Sequence, residues 1–137
     1  MNTTYKTLFA LIALFTITLT SCKEDDETTT PEDPTVNFSF TNPEASKMYG
    51  NGDTVHIDGM ISWENEMHGY EITITNTSMD SVVFSKHAHE DGNTFHIHQA
   101  WKNDVMHHSD MKLTIDALTD HDGAKETKEI MFHCHPM

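Results

Sequence analysis

The chain has no arginine, and its eight lysines stand against 22 Asp and Glu, a formal net charge of −14 over 137 residues. Nucleic acids and anionic membrane surfaces select for basic patches, so this balance excludes both as the main partner. Cysteine is scarce: two residues, Cys22 and Cys134, make no disulfide framework, and a domain of this size holds together on burial alone. No hydrophobic run reaches the ~20 residues that span a bilayer as a helix. There is also no Ser/His/Asp order, no Gly-rich phosphate loop and no paired-carboxylate motif, which points away from an enzyme. The length allows one folded domain. Histidine and methionine are abundant instead, at eleven and nine residues.

Residues 1–22 read MNTTYKTLFALIALFTITLTSC. Lys6 supplies a positive start. Leu8 to Leu19 are apolar but for Thr16 and Thr18, and small polar residues lead to Cys22. This is the layout of a secretory signal over residues 1–21. Its ending, Leu19-Thr20-Ser21-Cys22, resembles the lipobox of bacterial lipoproteins. The resemblance implies that Cys22 is lipidated, begins the mature chain and anchors it to a membrane. Lys23-Glu24-Asp25-Asp26-Glu27 and the Thr/Pro-rich stretch to Pro34 cannot bury apolar area, so 22–34 reads as a lipidated cysteine and a disordered tether. A cysteine followed by Lys and an acidic run is similar to the export signal of surface lipoproteins in Bacteroidota-type bacteria. That resemblance implies the outer membrane, at its outer face or otherwise its periplasmic face.

From Thr35 onward, short alternating segments recur between turn residues. They span 36–40, 53–62, 69–76, 80–88, 94–101, 111–118 and 125–135. None has sustained helical periodicity. Seven short strands in about a hundred residues predict an all-β, antiparallel immunoglobulin-like or fibronectin-like sandwich over 35–137. The run from Leu113 to Gly123 resembles the last hairpin of Ig-like domains in bacterial surface proteins. With the lipobox and Gly52-Asp53-Thr54-Val55, the whole chain resembles the small Ig-like lipoproteins of unknown function found in Bacteroidota. This implies a fold and an address but no activity.

Chance would supply about one His-x-His pair at this histidine content. Three occur: His87-Ala88-His89, His96-Ile97-His98 and His133-Cys134-His135, together with His107-His108. Residues i and i+2 of a strand project from one face, so such a pair offers two imidazoles to one ion. If Phe95 and Ile97 face the core, His96 and His98 face out. A tight turn at Asp91-Gly92 would pair 89 with 94, 87 with 96 and 85 with 98. His87 and His96 would then be cross-strand neighbours, with Cβ atoms about 4.5–5.5 Å apart, flanked by His89 and His98. Four imidazoles on one hairpin face would hold Zn²⁺ or Cu²⁺; the alternative is a solvated polar face.

The second constellation is the C-terminus. Counting back across the turn near Asp122 brings His133 and His135 beside residues 108–110, so Met106, His107 and His108 fall at the same end. Imidazole, thiolate and thioether from His107, His108, His133, Cys134, His135 and Met137 form a ligand set that suits copper. Alternatively Cys134, in phase with Ile130 and Phe132, points inward as a small apolar residue. His133-Cys134-His135 resembles the copper-ligating segment of multicopper oxidases, and Cys-His-x-Met is loosely similar to the blue-copper loop; both imply a metal preference only. Thr94 to Gln99 is similar to the His-x-His strand of copper–zinc superoxide dismutases, but the neighbouring glycine and the long metal-binding loop are lacking. Of the remaining residues, His121 reads as solvated in a turn and His68 as a core or edge residue in phase with Tyr70. His56 faces outward, Met60 and Met131 are candidate exposed sulfurs, and Met111 is core.

The leading expectation is a non-enzymatic, metal-binding lipoprotein of the cell envelope. It binds a copper ion, with zinc next, for capture, buffering or delivery, and the sequence names no protein partner. Two alternatives stay open: an Ig-like module binding protein or glycan with no metal role, and a small copper redox protein using Cys134.

Overall fold

The computed structural model describes residues 35–136. The expected signal, Cys22, the tether and Met137 lie outside the described residues. The chain forms β1 (Asn37–Asn42), β2 (Met48–Gly50), β3 (Thr54–Met67), β4 (Tyr70–Asn76), β5 (Ser81–Ala88), β6 (Gly92–Lys102), β7 (Ser109–Leu118) and β8 (Lys125–His135), with no α-helix among the described residues. Two sheets result, ordered β1-β3-β6 and β2-β8-β7-β4-β5. The all-β expectation therefore holds.

Period-two alternation explains the core. Val55, Ile57 and Ile61 of β3, Ile72 and Ile74 of β4, and Leu113, Ile115 and Ala117 of β7 are fully buried. Branched side chains suit these positions because they pack well on a pleated surface. Phe95, Ile97 and Trp101 of β6 meet the inward row of β3, opposite Ile61, Gly59 and Val55.

Three expectations need correction. The described residues hold eight strands rather than seven. The additional one, β2, is three residues long and too short to show a period; it pairs parallel to β8, Met48 with His133 and Gly50 with His135. In β5, Val82, which the alternation of segment 80–88 puts with Phe84 on its apolar face, is 62 % exposed, because this strand pairs with β4 alone and its register slips opposite Ile74 and Thr75.

The largest correction concerns the expected hairpin, since β5 and β6 lie in different sheets. The pairs 89–94, 87–96 and 85–98 are not formed. His96 sits opposite Met60 and His98 opposite Asp58, both on β3. The reason is apolar matching. β3 offers β6 an inward row of fully buried side chains, whereas Val83 and Phe84 of β5 are only half-buried.

The β7–β8 register agrees with the count made across their turn, with His133 opposite Asp110 and Cys134 opposite Ser109. Successive connections from β3 onward alternate between the two ends of the strands. The β3–β4, β5–β6 and β7–β8 connections share one end; the β4–β5 and β6–β7 connections share the other with the C-terminal end of β8. Ten residues of β7 separate these ends, which at about 3.3 Å per residue is about 30 Å.

Candidate metal centres

At the first end, three connections each contribute one side chain: His68 before β4, Asp91 before β6 and His121 after β7. One ligand atom from each lies within 4.8 Å of the others. His68 Nδ1 is 2.8 Å from Asp91 Oδ1. The His68 and His121 rings lie 3.7 Å apart between centroids, tilted by 31°.

Local backbone chemistry builds this cluster. Gly69 has φ of +130°, and a Cβ there would run into the Ala88 carbonyl oxygen, so only glycine lets the β3–β4 turn approach the exit of β5 this closely. The His68 amide donates to the Leu118 carbonyl (2.8 Å), and the Leu118 amide donates to the Gly69 carbonyl (3.0 Å). These bonds tie the turn to the end of β7. Past it, the Asp120 carboxylate accepts from the amides of Asp122 (2.9 Å) and Ala124 (2.7 Å), an Asx-type turn that shapes the loop carrying His121.

The hydrogen bond to His68 holds the Asp91 carboxyl below the usual carboxylate range. Burial opposes this less strongly, and the charges of His68, His121 and His89 add weaker lowering effects. His89 is thus within electrostatic reach of the cluster. Two imidazoles and a carboxylate are three ligands of the kind that zinc and copper accept, with a coordination position left for water or another donor. A cation would take the place of the proton shared between His68 Nδ1 and Asp91.

At the second end, His133 occupies the outer face of β8 between Met48 of β2 and Asp110 of β7. Its Nδ1 lies 2.8 Å from Asp110 Oδ1. An ionised carboxylate only accepts, so Nδ1 carries the hydrogen, and in the neutral ring that leaves the Nε2 lone pair for a ligand bond. The His108 and His135 rings stack 5.9 Å apart, and His135 Nδ1 is 3.0 Å from the Pro136 carbonyl oxygen. A cleft of about 290 Å³ here is lined by Met48, His108, Asp110 and His133, among others. His107 lines the adjoining cleft with Met79 and Met106.

The expected ligands therefore divide. His108, His133 and His135 gather as expected, with His107 beside them. The hairpin foursome does not assemble. His87 and His89 stack on each other at 6.1 Å at the end of β5, while His96 and His98 stand exposed on β6 in the other sheet. There, His98 Nδ1 meets Asp58 Oδ1 at 2.6 Å. Cys134 is 1 % exposed and belongs to the core. Burial, helped by the charge of Asp53, pushes its thiol up to about 11. The thiolate is the metal-binding form, so Cys134 is a packing residue in this fold. Met137 lies outside the described residues.

Sequence reasoning passed over His68, Asp91, His121 and Met48. The alternation of connections between two ends was the signal available for the first three. Met48 had none, because a three-residue strand leaves no pattern. The chain matches no protein-family model and no curated protein.

Proposed function

We propose that this protein is a metal-binding lipoprotein of the cell envelope that captures, buffers or delivers a transition-metal ion, copper first and zinc next. One observation carries the reading: His68, Asp91 and His121, remote in sequence, are brought within mutual ligand distance by three separate connections. Surface charge supports it. From Thr35 onward, sixteen acidic residues face six lysines, a field that raises the local concentration of cations. The burial of Cys134 weighs against the copper redox alternative, which needs a thiolate ligand.

The fold belongs to this proposal in its finer form, an immunoglobulin-like sandwich. In its support, β1, β3 and β6 share one sheet and β4, β7 and β8 the other. Strands A, B, E and C, F, G divide the same way in that architecture. The resemblance of Leu19-Thr20-Ser21-Cys22 to a lipobox supports a lipid anchor on Cys22, and the Lys23 to Glu27 run after it supports the outer membrane.

The test is titration of the purified full-length protein with Zn(II) and Cu(II). Micromolar or tighter binding that weakens at least about tenfold in the His68→Ala, His121→Ala double variant is expected. Millimolar binding unchanged by that variant overturns the reading.

A further inference from the structure

We infer that the second end of the molecule is a separate site for Cu(I), built from the Met48 thioether and the imidazoles of His108 and His133. The inference rests on the metal-binding reading but uses different residues about 30 Å away by strand length.

Three observations converge. First, the cleft between β2, β8 and the β6–β7 connection is lined by Met48, His108 and His133 beside Ser78, Ser109, Asp110 and Cys134, and of the two sulfur side chains Cys134 is buried in the core. Met48 and His133 are register partners on adjacent strands. Second, His133 is oriented as metal-bound histidines are. Asp110 holds its Nδ1 at 2.8 Å, and a carboxylate on one ring nitrogen fixes the tautomer and makes the other a better ligand. Third, the exposed large apolar side chains are thioethers but for Val82. Of the five large hydrophobic residues exposed among those described, Met48, Met79, Met106 and Met131 are methionine. Met48 is 63 % exposed, so it does not serve as core packing.

The donor set selects the ion. A thioether is a soft ligand and suits Cu(I), whereas hard cations take carboxylate and carbonyl oxygen. The one carboxylate lining this cleft, Asp110, is already engaged by His133. Two imidazole nitrogens and one sulfur make a three-coordinate site. Met79 and Met106 in the adjoining cleft supply further thioethers along the approach. The first end, with its carboxylate ligand and no thioether in its group, lacks this preference.

The experiment is competition between the full-length protein and a chromophoric Cu(I) chelator under anaerobic reducing conditions, with Zn(II) titrated in parallel. Met48→Leu conserves volume on an exposed strand and leaves the fold intact. It is expected to lower Cu(I) affinity at least about tenfold, to remove sulfur scattering from the copper X-ray absorption spectrum and to leave Zn(II) binding unchanged. Asp110→Asn is expected to lower Cu(I) affinity about tenfold or more, the usual effect of losing such a partner. Unchanged Cu(I) affinity in Met48→Leu, or sulfur scattering that survives it, overturns the assignment. If Zn(II) binding is lost in His68→Ala, His121→Ala while Met48→Leu changes nothing, this site fails and the proposed function stands. If the losses fall the other way, the Cu(I) site stands and the site at the first end fails.

Discussion

A single side chain illustrates how little composition says about role. Cys134 lies in one of the three His-x-His stretches of the chain, flanked by His133 and His135. The alternation of β8 turns both imidazoles outward and the thiol inward, beside Ser109 of β7. A raised thiol pKa has a definite sign in the stability of the fold. Folding favours the protonated form, so that contribution is complete below the ordinary thiol value and is lost as pH rises through about 11. Each tenfold gain in proton affinity on folding is worth about 1.4 kcal/mol. Denaturant unfolding between pH 9 and 11 should therefore show stability falling by an amount on the order of 2 kcal/mol. Cys134→Ala should be less stable at pH 8 but lack this part of the decline. An identical decline in both proteins would mean that the thiol stays accessible to water. The phase of Cys134 with Ile130 and Phe132 was legible in the sequence. What it left open was whether the end of β8 has a neighbour on its other edge, and β2 pairs there, with Tyr49 opposite Cys134.

At the scale of elements, β2 shows how a strand without a sequence signature is held. Its three residues pair with β8 on one side only. Asn103, fully buried, secures them from the β6–β7 connection. Its side-chain amide donates to the carbonyls of Tyr49 (3.2 Å) and Gly50 (2.8 Å), and its side-chain oxygen accepts from the Val105 amide (3.1 Å). Asn103→Ala removes all three bonds; the Gly50 carbonyl keeps the Asp53 amide at 3.1 Å, and each buried group left unsatisfied costs about 1–3 kcal/mol. Thermal unfolding should show a clear drop in Tm, and Cu(I) affinity should fall because Met48 rides on the freed strand. Normal Tm with normal Cu(I) binding would show that β8 alone holds β2. The other elements were legible because their periods were long enough to read. The pairing of β5 was not, since alternation identifies a strand's faces and says nothing about which neighbour it joins.

For the whole molecule, the two ends should act independently. No connection from either cluster reaches the other, and sites about 30 Å apart with no shared partners are expected to be additive. Combining Met48→Leu with His68→Ala and His121→Ala should therefore lower Cu(I) and Zn(II) affinities by the same factors as the separate variants, within about twofold. A departure of tenfold would indicate coupling through the sheets. The acidic surface should act on both ends alike, raising cation capture at low salt and losing that advantage as ionic strength rises.

The amino-acid sequence by itself determined the all-β class, most strand positions, the outward phase of the paired histidines and the β7–β8 register. All follow from local alternation and turn residues. It also determined the acidity and the abundance of imidazole and thioether. The tertiary structure decided which of these groups meet. Sheet assignment sent β5 and β6 apart and dissolved the hairpin site, because inward apolar rows pair by fit rather than by order along the chain. The same packing drew three connections together around His68, Asp91 and His121, and laid Met48 beside His133. Contacts between residues so distant in sequence depend on how the two sheets close over one core, and no local pattern carries that information.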